Sequence, residues 1–260
     1  MEYRRLGETG LHVSALGFGG APIGLQGYLT GDDRDSEAFQ QGAVEALRRA
    51  VELGVNYFDT APGYGRGRSE SAFGRALEPV RDRALIATKY FFEPGRSADA
   101  RTEGLRASLD RLRTDRVDVL QLHGGYYTDE LAERLLADGV LDWAREMQAR
   151  GLCRFTGITC ENPSGALERL LRTGRFDVLQ VAYNLIYQGA CDYQREPRGV
   201  IPLAKSMGLG VVTMRATTSG FLQKLLPREL PEVDAARLTR LAVNFVLSTP
   251  EVDCCLVGMT

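Results

Sequence analysis

Eight short β-rich runs, near residues 13–17, 56–59, 84–88, 117–122, 154–159, 177–182, 210–214 and 253–257, are separated by longer amphipathic stretches, and this alternation restricts the fold most severely. Most of the runs are apolar throughout, as strands must be when both faces of their sheet are covered. Repeated strand–helix units of this kind build a parallel sheet. Between the runs Val44, Leu47 and Val51 recur at helical spacing, as do Leu105, Leu109 and Leu112, and again Leu238, Leu241 and Phe245. Each triplet predicts the inward stripe of an outer helix. Asn162-Pro163-Ser164 reads as a helix start, and Gly54, Gly151 and Gly208 read as helix stops.

Eight parallel strands with intervening helices are best satisfied by closing the sheet on itself, so the expected fold class is α/β, a (β/α)8 TIM barrel, in one domain over residues 1–260. The rival is an open doubly wound sheet, but Gly17-Phe18-Gly19-Gly20 does not supply the glycine-rich phosphate loop such a sheet carries after its first strand. A chain of 260 residues, 44% of them hydrophobic, has enough apolar material for one core of this size.

The 32 basic and 34 acidic residues are scattered, with no block that would draw nucleic acid or anionic lipid, so neither is expected as a partner. Apolar runs such as Val117 to Leu122 are too short to cross a bilayer, and Met1-Glu2-Tyr3-Arg4-Arg5 leads into no signal-peptide core; a cytoplasmic location is expected. The cysteines, Cys153, Cys160, Cys191, Cys254 and Cys255, are odd in number and match no zinc spacing. They are expected to be free thiols, and no metal is expected.

In a barrel of this kind reactive groups gather at the C-terminal ends of the strands. Asp59 closes the second run, Tyr64 follows in the loop Ala61-Pro62-Gly63-Tyr64-Gly65, Lys89 closes the third and His123 the fourth. Singly, each has a structural explanation: a turn cap, a loop aromatic, a solvated strand end, a satisfied histidine. Together they match one chemistry. Protonating a carbonyl oxygen as hydride reaches its carbon needs an acid, and a phenol with an ordinary pKa near ~10 is poorly matched to neutral pH. An adjacent ammonium stabilises the phenolate, a buried carboxylate keeps that ammonium charged, and an imidazole orients the substrate oxygen. Lys89, Asp59 and His123 fit these roles, with Tyr64 as general acid or, in reverse, base.

Nearly the whole chain resembles the aldo-keto reductases, in the style of their bacterial branches. Arg5-Leu6-Gly7-Glu8-Thr9-Gly10-Leu11 and Leu16-Gly17-Phe18-Gly19 are similar to that family's entry hairpin and first strand. Phe58-Asp59-Thr60-Ala61-Pro62-Gly63-Tyr64-Gly65, Ala87-Thr88-Lys89 and Leu120-Gln121-Leu122-His123 resemble the segments carrying its tyrosine, lysine and histidine. The resemblance implies an NADP(H)-dependent oxidoreductase, with NAD(H) as the alternative, acting on a small carbonyl or alcohol substrate. It implies that Thr159 and Gln180 meet the nicotinamide amide, that Met214 stands where a tyrosine often stacks, and that Arg215, Ser219 and Gly220 surround the pyrophosphate. Cys160 replaces a usual asparagine. The sequence stops at Thr260, just past the eighth run, where the family continues into a closing helix and the segment that grips the 2′-phosphate. The expectation is therefore a barrel without its last helix, in a truncated chain, in a homo-oligomer whose neighbouring subunit covers the groove, or as a marginally stable monomer. The alternative function is a nicotinamide-binding regulatory or structural barrel with little turnover. Phe91, Phe92, Tyr126 and Tyr127 are expected around the mouth.

Overall fold

The structure, a computed structural model, describes residues 1–26, 33–191, 198–230, 232 and 234–258, with the backbone alone at 222–225. An antiparallel hairpin of β1 (Tyr3–Arg5) and β2 (His12–Ser14) precedes eight strands: β3 (Leu16–Gly19), β4 (Tyr57–Asp59), β5 (Leu85–Tyr90), β6 (Val117–Leu122), β7 (Cys153–Cys160), β8 (Val178–Ala182), β9 (Gly210–Met214) and β10 (Cys254–Gly258). These eight are parallel and close into a barrel, β10 pairing with both β9 and β3. The expected (β/α)8 architecture is present.

Around the barrel run α1 (Ala21–Gly24), α2 (Glu37–Glu52), α3 (Arg68–Leu77), α4 (Ala98–Leu112), α5 (Asp129–Asp138), α6 (Val140–Ala149), α7 (Gly165–Arg172), α8 (Val200–Ser206), α9 (Phe221–Glu229) and α10 (Ala235–Leu247). The α2 helix shows why the outer layer holds. Ser36 caps it, its Oγ accepting from the Phe39 amide at 3.3 Å, a contact worth about 1 kcal/mol. Its Val44, Leu47 and Val51 are buried as the spacing predicts, each contributing roughly 1.5–3 kcal/mol. The Leu105, Leu109 and Leu112 stripe of α4 is likewise buried.

Two local expectations differ. The first run, 13–17, is not one strand: His12–Ser14 pairs in the hairpin, and the barrel strand starts at Leu16. The break is fixed by Asn56, which accepts from the Ser14 amide (2.7 Å) and donates to the His12 carbonyl (2.9 Å). In α10 the smaller side chains Ala242 and Val246 are the buried ones, while Leu241 is 52% exposed. Phe245 packs on the core beside them, its ring 5.5 Å from that of Tyr183.

The hairpin stops the base of the barrel. Leu6, Leu11 and Val13 pack against Tyr57, Ala87, Val119, Val178, Val212 and Cys254 from inside six strands. Arg4 donates to the Val252 and Leu247 carbonyls (2.8 and 3.2 Å), and Asp253 accepts from the Gly7 amide at 3.1 Å. The start of the chain is thereby fastened to the approach of β10. All five cysteines are buried thiols, none of them in a disulfide.

Candidate active site

Side chains alternate across a strand, so the residue two places beyond each apolar floor residue also points inward, nearer the C-terminal mouth. On β4, β5, β6 and β8 that step leads from Tyr57, Ala87, Val119 and Val178 to Asp59, Lys89, Gln121 and Gln180. A polar layer thus sits directly on an apolar one.

Asp59 and Lys89 are each 3% exposed. The Lys89 ammonium donates to both Asp59 oxygens at 2.8 Å and to the Thr60 carbonyl at 2.7 Å. It also lies 4.8 Å from the centre of the Tyr64 ring and interacts electrostatically with that side chain. Burial alone would drive Lys89 to give up its proton, but Asp59 and the Tyr64 oxygen outweigh it and hold the lysine pKa above its ordinary value. Asp59 is further held by Gln121 and Gln180, whose Nε2 atoms donate to Oδ1 (3.0 Å) and Oδ2 (3.4 Å). The two glutamines are joined at 3.1 Å. Gln121 has room because β7 carries a glycine opposite: a Cβ at Gly157 would fall 2.9 Å from Gln121 Cγ.

Tyr64 is positioned through its backbone. Its amide closes a turn onto the Ala61 carbonyl at 3.0 Å. The end of α1 presses on the loop so closely that a Cβ at Gly24 would lie 2.2 Å from the Tyr64 carbonyl oxygen. His123 follows β6, its amide donating to the Tyr90 carbonyl at 2.8 Å. The imidazole stands edge-on to the Tyr64 ring, centroids 5.8 Å apart, with the Phe91 ring tilted over it at 4.7 Å. Its Nδ1 is buried without a hydrogen-bond partner. Burial, and secondarily the charge of Lys89, push its pKa down to about 3, so the ring is neutral at physiological pH.

Asp59, Tyr64, Lys89 and His123 line one cleft of about 360 Å³ at the mouth, and Thr159, Gln180, Met214 and Arg215 line the same cleft. Thr159 is buried, its hydroxyl accepting from the Gly124 amide and donating to the Gly124 carbonyl, each at 2.9 Å. Arg215 bridges to Glu161 at 2.5 Å and donates to Ser219 Oγ at 3.2 Å. Ser219 and Gly220 are not among the cleft-lining residues; they lie where the chain enters α9, with positive φ values of 54° and 76°. Of the four aromatics expected around the mouth, Phe91 alone lines the cleft. Tyr127 is buried, donating to the Thr159 carbonyl at 3.0 Å, Phe92 packs on the core, and Tyr126 is 57% exposed.

Sequence reasoning passed over Gln121, which lies inside an apolar run. Its signal was spacing: it is two residues before His123, and so on the same face. Glu161, the partner of Arg215 in the cleft wall, was passed over too. Among the described residues there is no cluster of metal-binding side chains, and no helix is long and apolar enough to cross a membrane.

An Asp–Lys–Tyr–His constellation at the mouth of a closed parallel barrel defines a class, and similarity to known proteins agrees with it. The profile of the aldo/keto reductase family matches residues 15–243. The chain belongs to that family and is an oxidoreductase of its type. It is 31% identical to L-galactose dehydrogenase of Arabidopsis thaliana, over 100% of this chain and 84% of that protein. It is 29% identical to D-threo-aldose 1-dehydrogenase of a Pseudomonas species, over 90% of this chain and 77% of the relative. A solved aldo-keto reductase of Bacillus halodurans, in its holo form, superposes with a TM-score of 0.75 at 26% identity, covering 100% of this chain and 86% of the other.

Proposed function

We propose that this single-domain barrel interconverts a small aldehyde or ketone and its alcohol using NADP(H), or NAD(H), with Tyr64 carrying the proton. The observation that carries the reading is the approach to Tyr64 of an ammonium that a buried carboxylate keeps charged, Lys89 Nζ lying 4.8 Å from the centre of the Tyr64 ring. As negative charge develops on a carbonyl oxygen, Tyr64 donates its proton and Lys89 stabilises the phenolate left behind. Asp59, held by Lys89 and the two glutamines, prevents the ammonium from discharging into its buried surroundings. Neutral His123 contributes a hydrogen bond that orients the oxygen without adding a competing charge. In the oxidative direction the phenolate removes the alcohol proton.

The cleft fits a nicotinamide cofactor, which when bound supplies or accepts the hydride. A hydroxyl has two lone pairs, and so has an amide oxygen. Thr159 Oγ1 uses one for the Gly124 amide and Gln180 Oε1 uses one for Gln121. One acceptor site on each is left for a carboxamide, on side chains that are already fixed. Met214 offers an apolar contact in the same wall. Arg215, Ser219 and Gly220 would hold the pyrophosphate, since α9 begins at Phe221 with no side-chain cap on its first amides and such amides favour an anion.

The likeness to two sugar dehydrogenases makes aldoses the first substrate class to test. Purified protein is assayed with NADP+ and NAD+ on a panel of aldoses, and with NADPH and NADH on simple aldehydes, beside Tyr64→Phe. Turnover is expected, falling by about 10²–10⁴-fold in the variant with cofactor binding unchanged. Near-normal turnover in Tyr64→Phe overturns the mechanism. Cofactor binding without turnover on any substrate would instead favour a regulatory barrel.

A further inference from the structure

Thr60 follows Asp59 and Thr88 precedes Lys89, and because side chains alternate along a strand both turn away from the polar layer, toward α3. Both are fully buried. Under a covering helix such positions are ordinarily apolar. Here each meets a polar residue in the first turns of α3, and those two are neighbours in the chain. The Thr60 hydroxyl donates to Ser69 Oγ at 2.8 Å, and the Thr88 hydroxyl to Glu70 Oε1 at 2.6 Å. Ser69 and Glu70 are fully buried as well.

Each of the pair has further partners. Ser69 Oγ donates to the Gly20 carbonyl at 2.9 Å, and its amide donates to the Tyr64 carbonyl at 3.3 Å. The Gly20 amide in turn donates to the Asp59 carbonyl at 2.8 Å. Glu70 is held from its other side by Arg111 of α4, whose Nε donates to Oε2 at 2.7 Å. The loop that carries Tyr64 therefore has a closed base. Thr60 and Ser69, its two ends, are hydrogen-bonded to each other, and Tyr64 stands near its middle. Glu70 ties that base to Thr88, the residue next to Lys89 on β5.

We propose that Ser69 and Glu70 are positioning residues for the proton transfer: Ser69 closes the base of the loop that carries Tyr64, and Glu70 fixes that base to the strand that carries Lys89. The roles rest on Tyr64 as the proton carrier. Neither residue lines the cleft, so they act by setting where the phenol stands relative to the ammonium. Holding α3 on the barrel does not need them. Apolar contacts do that, as with Phe73, whose ring stands edge-on to those of Phe18 and Phe58.

Thr88→Val, nearly isosteric, deletes the hydroxyl that meets Glu70, and Thr88→Ser restores it. Glu70→Met cuts the same link from the other side, whereas Glu70→Gln keeps it, the amide donating to Thr88 while its oxygen accepts from Arg111. Ser69→Ala opens the base of the loop. Folded sites in each preparation are counted by titrating NADPH fluorescence, because the proposed cofactor contacts lie on β7, β8, β9 and the segment after it, away from α3. Turnover per site is then measured on the substrate that wild type uses best, beside Tyr64→Phe. If the phenol moves by about 1 Å, kcat per site should fall roughly 10–10²-fold in Thr88→Val, Glu70→Met and Ser69→Ala, and return to within about threefold of wild type in Thr88→Ser and Glu70→Gln. KM should change little in all five. A variant that merely folds poorly loses sites and keeps its kcat per site. Should Glu70→Met yield no sites, the Thr88 pair decides alone. Unchanged kcat per site in Thr88→Val and Ser69→Ala overturns the positioning roles, and if Tyr64→Phe is inactive the mechanism stands without them. Glu70→Gln as slow as Glu70→Met overturns them too, since charge and not position is then at work. Wild type without turnover, or Tyr64→Phe with normal turnover, removes the mechanism and the positioning roles together.

Discussion

Replacing His123 by asparagine should flatten the acid side of the stability curve. In the fold its pKa stands at about 3, against an ordinary 6.5, because the ring is buried beside the Lys89 ammonium. An unfolded chain takes up a proton on this ring as pH falls through about 6.5, whereas the folded chain refuses it until about 3. The contribution of His123 is therefore complete above the unfolded pKa and is lost as pH falls below it. Within that interval the loss is about 1.4 kcal/mol per pH unit, the free energy of one proton taken up by the unfolded state alone. From pH ~6.5 to ~5 this amounts to about 2 kcal/mol. Carrying it down to about 3 gives at most about 5 kcal/mol, less whatever the solvated part of the ring recovers. The range above pH ~5 isolates the effect, because carboxylates with ordinary pKa values near ~4 titrate below it. His12, the other histidine of the chain, is exposed. Urea unfolding of wild type and His123→Asn between pH ~5 and ~7.5 should show their stability difference changing by about 2 kcal/mol across the lower half of the range, with unchanged m-values. Parallel curves would refute the reasoning and show that the ring is protonated in the fold or already solvated.

Three further outcomes follow from the same geometry. Lys89→Met leaves the Asp59 carboxylate buried without its cation, and urea unfolding should show a loss of about 3–5 kcal/mol. Since the Lys89 pKa is raised in the fold, its contribution in wild type should hold up to the ordinary lysine value near ~10.4 and disappear as pH rises through the higher folded value. Gln121→Leu removes a donor from Asp59 and from Gln180 Oε1, together with a buried, unpartnered Oε1 of its own; stability should fall by about 1–3 kcal/mol. The pH profile of kcat should shift as well, and an unmoved profile means that Gln121 only fills space. Gly24→Ala places a Cβ 2.2 Å from the Tyr64 carbonyl oxygen, and a displacement of about 1 Å there should lower turnover by roughly 10²-fold while far-UV circular dichroism is unchanged.

The parts of this molecule that were legible in the sequence were those governed by spacing. Asp59, Lys89 and His123 each end an apolar run, and a parallel barrel carries such ends to one rim. Gln121 is legible only after the strand's inward face is known, because a single amide inside Val117–Leu122 does not disturb the run's apolar character. The aromatics after β5 and β6 could not be ranked, since composition does not say which ring a loop folds inward. Tyr127 is drawn under by its hydrogen bond to Thr159, whereas Phe91 stays over His123. The stripe Leu238, Leu241 and Phe245 has ideal helical spacing, and Phe245 does pack on the core, but beside it the buried residues are Ala242 and Val246 while Leu241 is exposed. Ser219 and Gly220 are recognised by resemblance alone; spacing gives no reason for consecutive residues to adopt positive φ.

The seam where β10 pairs with β3 sets the order in which this protein can be completed. Cys255 lies beside Leu16 and Leu256 beside Gly17, and Arg4 reaches the carbonyl of Val252. During synthesis none of these contacts exists until almost all of the described chain has left the ribosome. Until then β3 and β9 are open sheet edges, with unpaired amides and carbonyls above an apolar floor that the hairpin can only partly cover. Pairing at such a separation is slow to form, so the nascent chain spends its longest interval as an unclosed sheet prone to joining a second copy edge to edge. Codon changes that slow translation shortly before β10 should therefore lower the soluble yield of an unchanged amino-acid sequence.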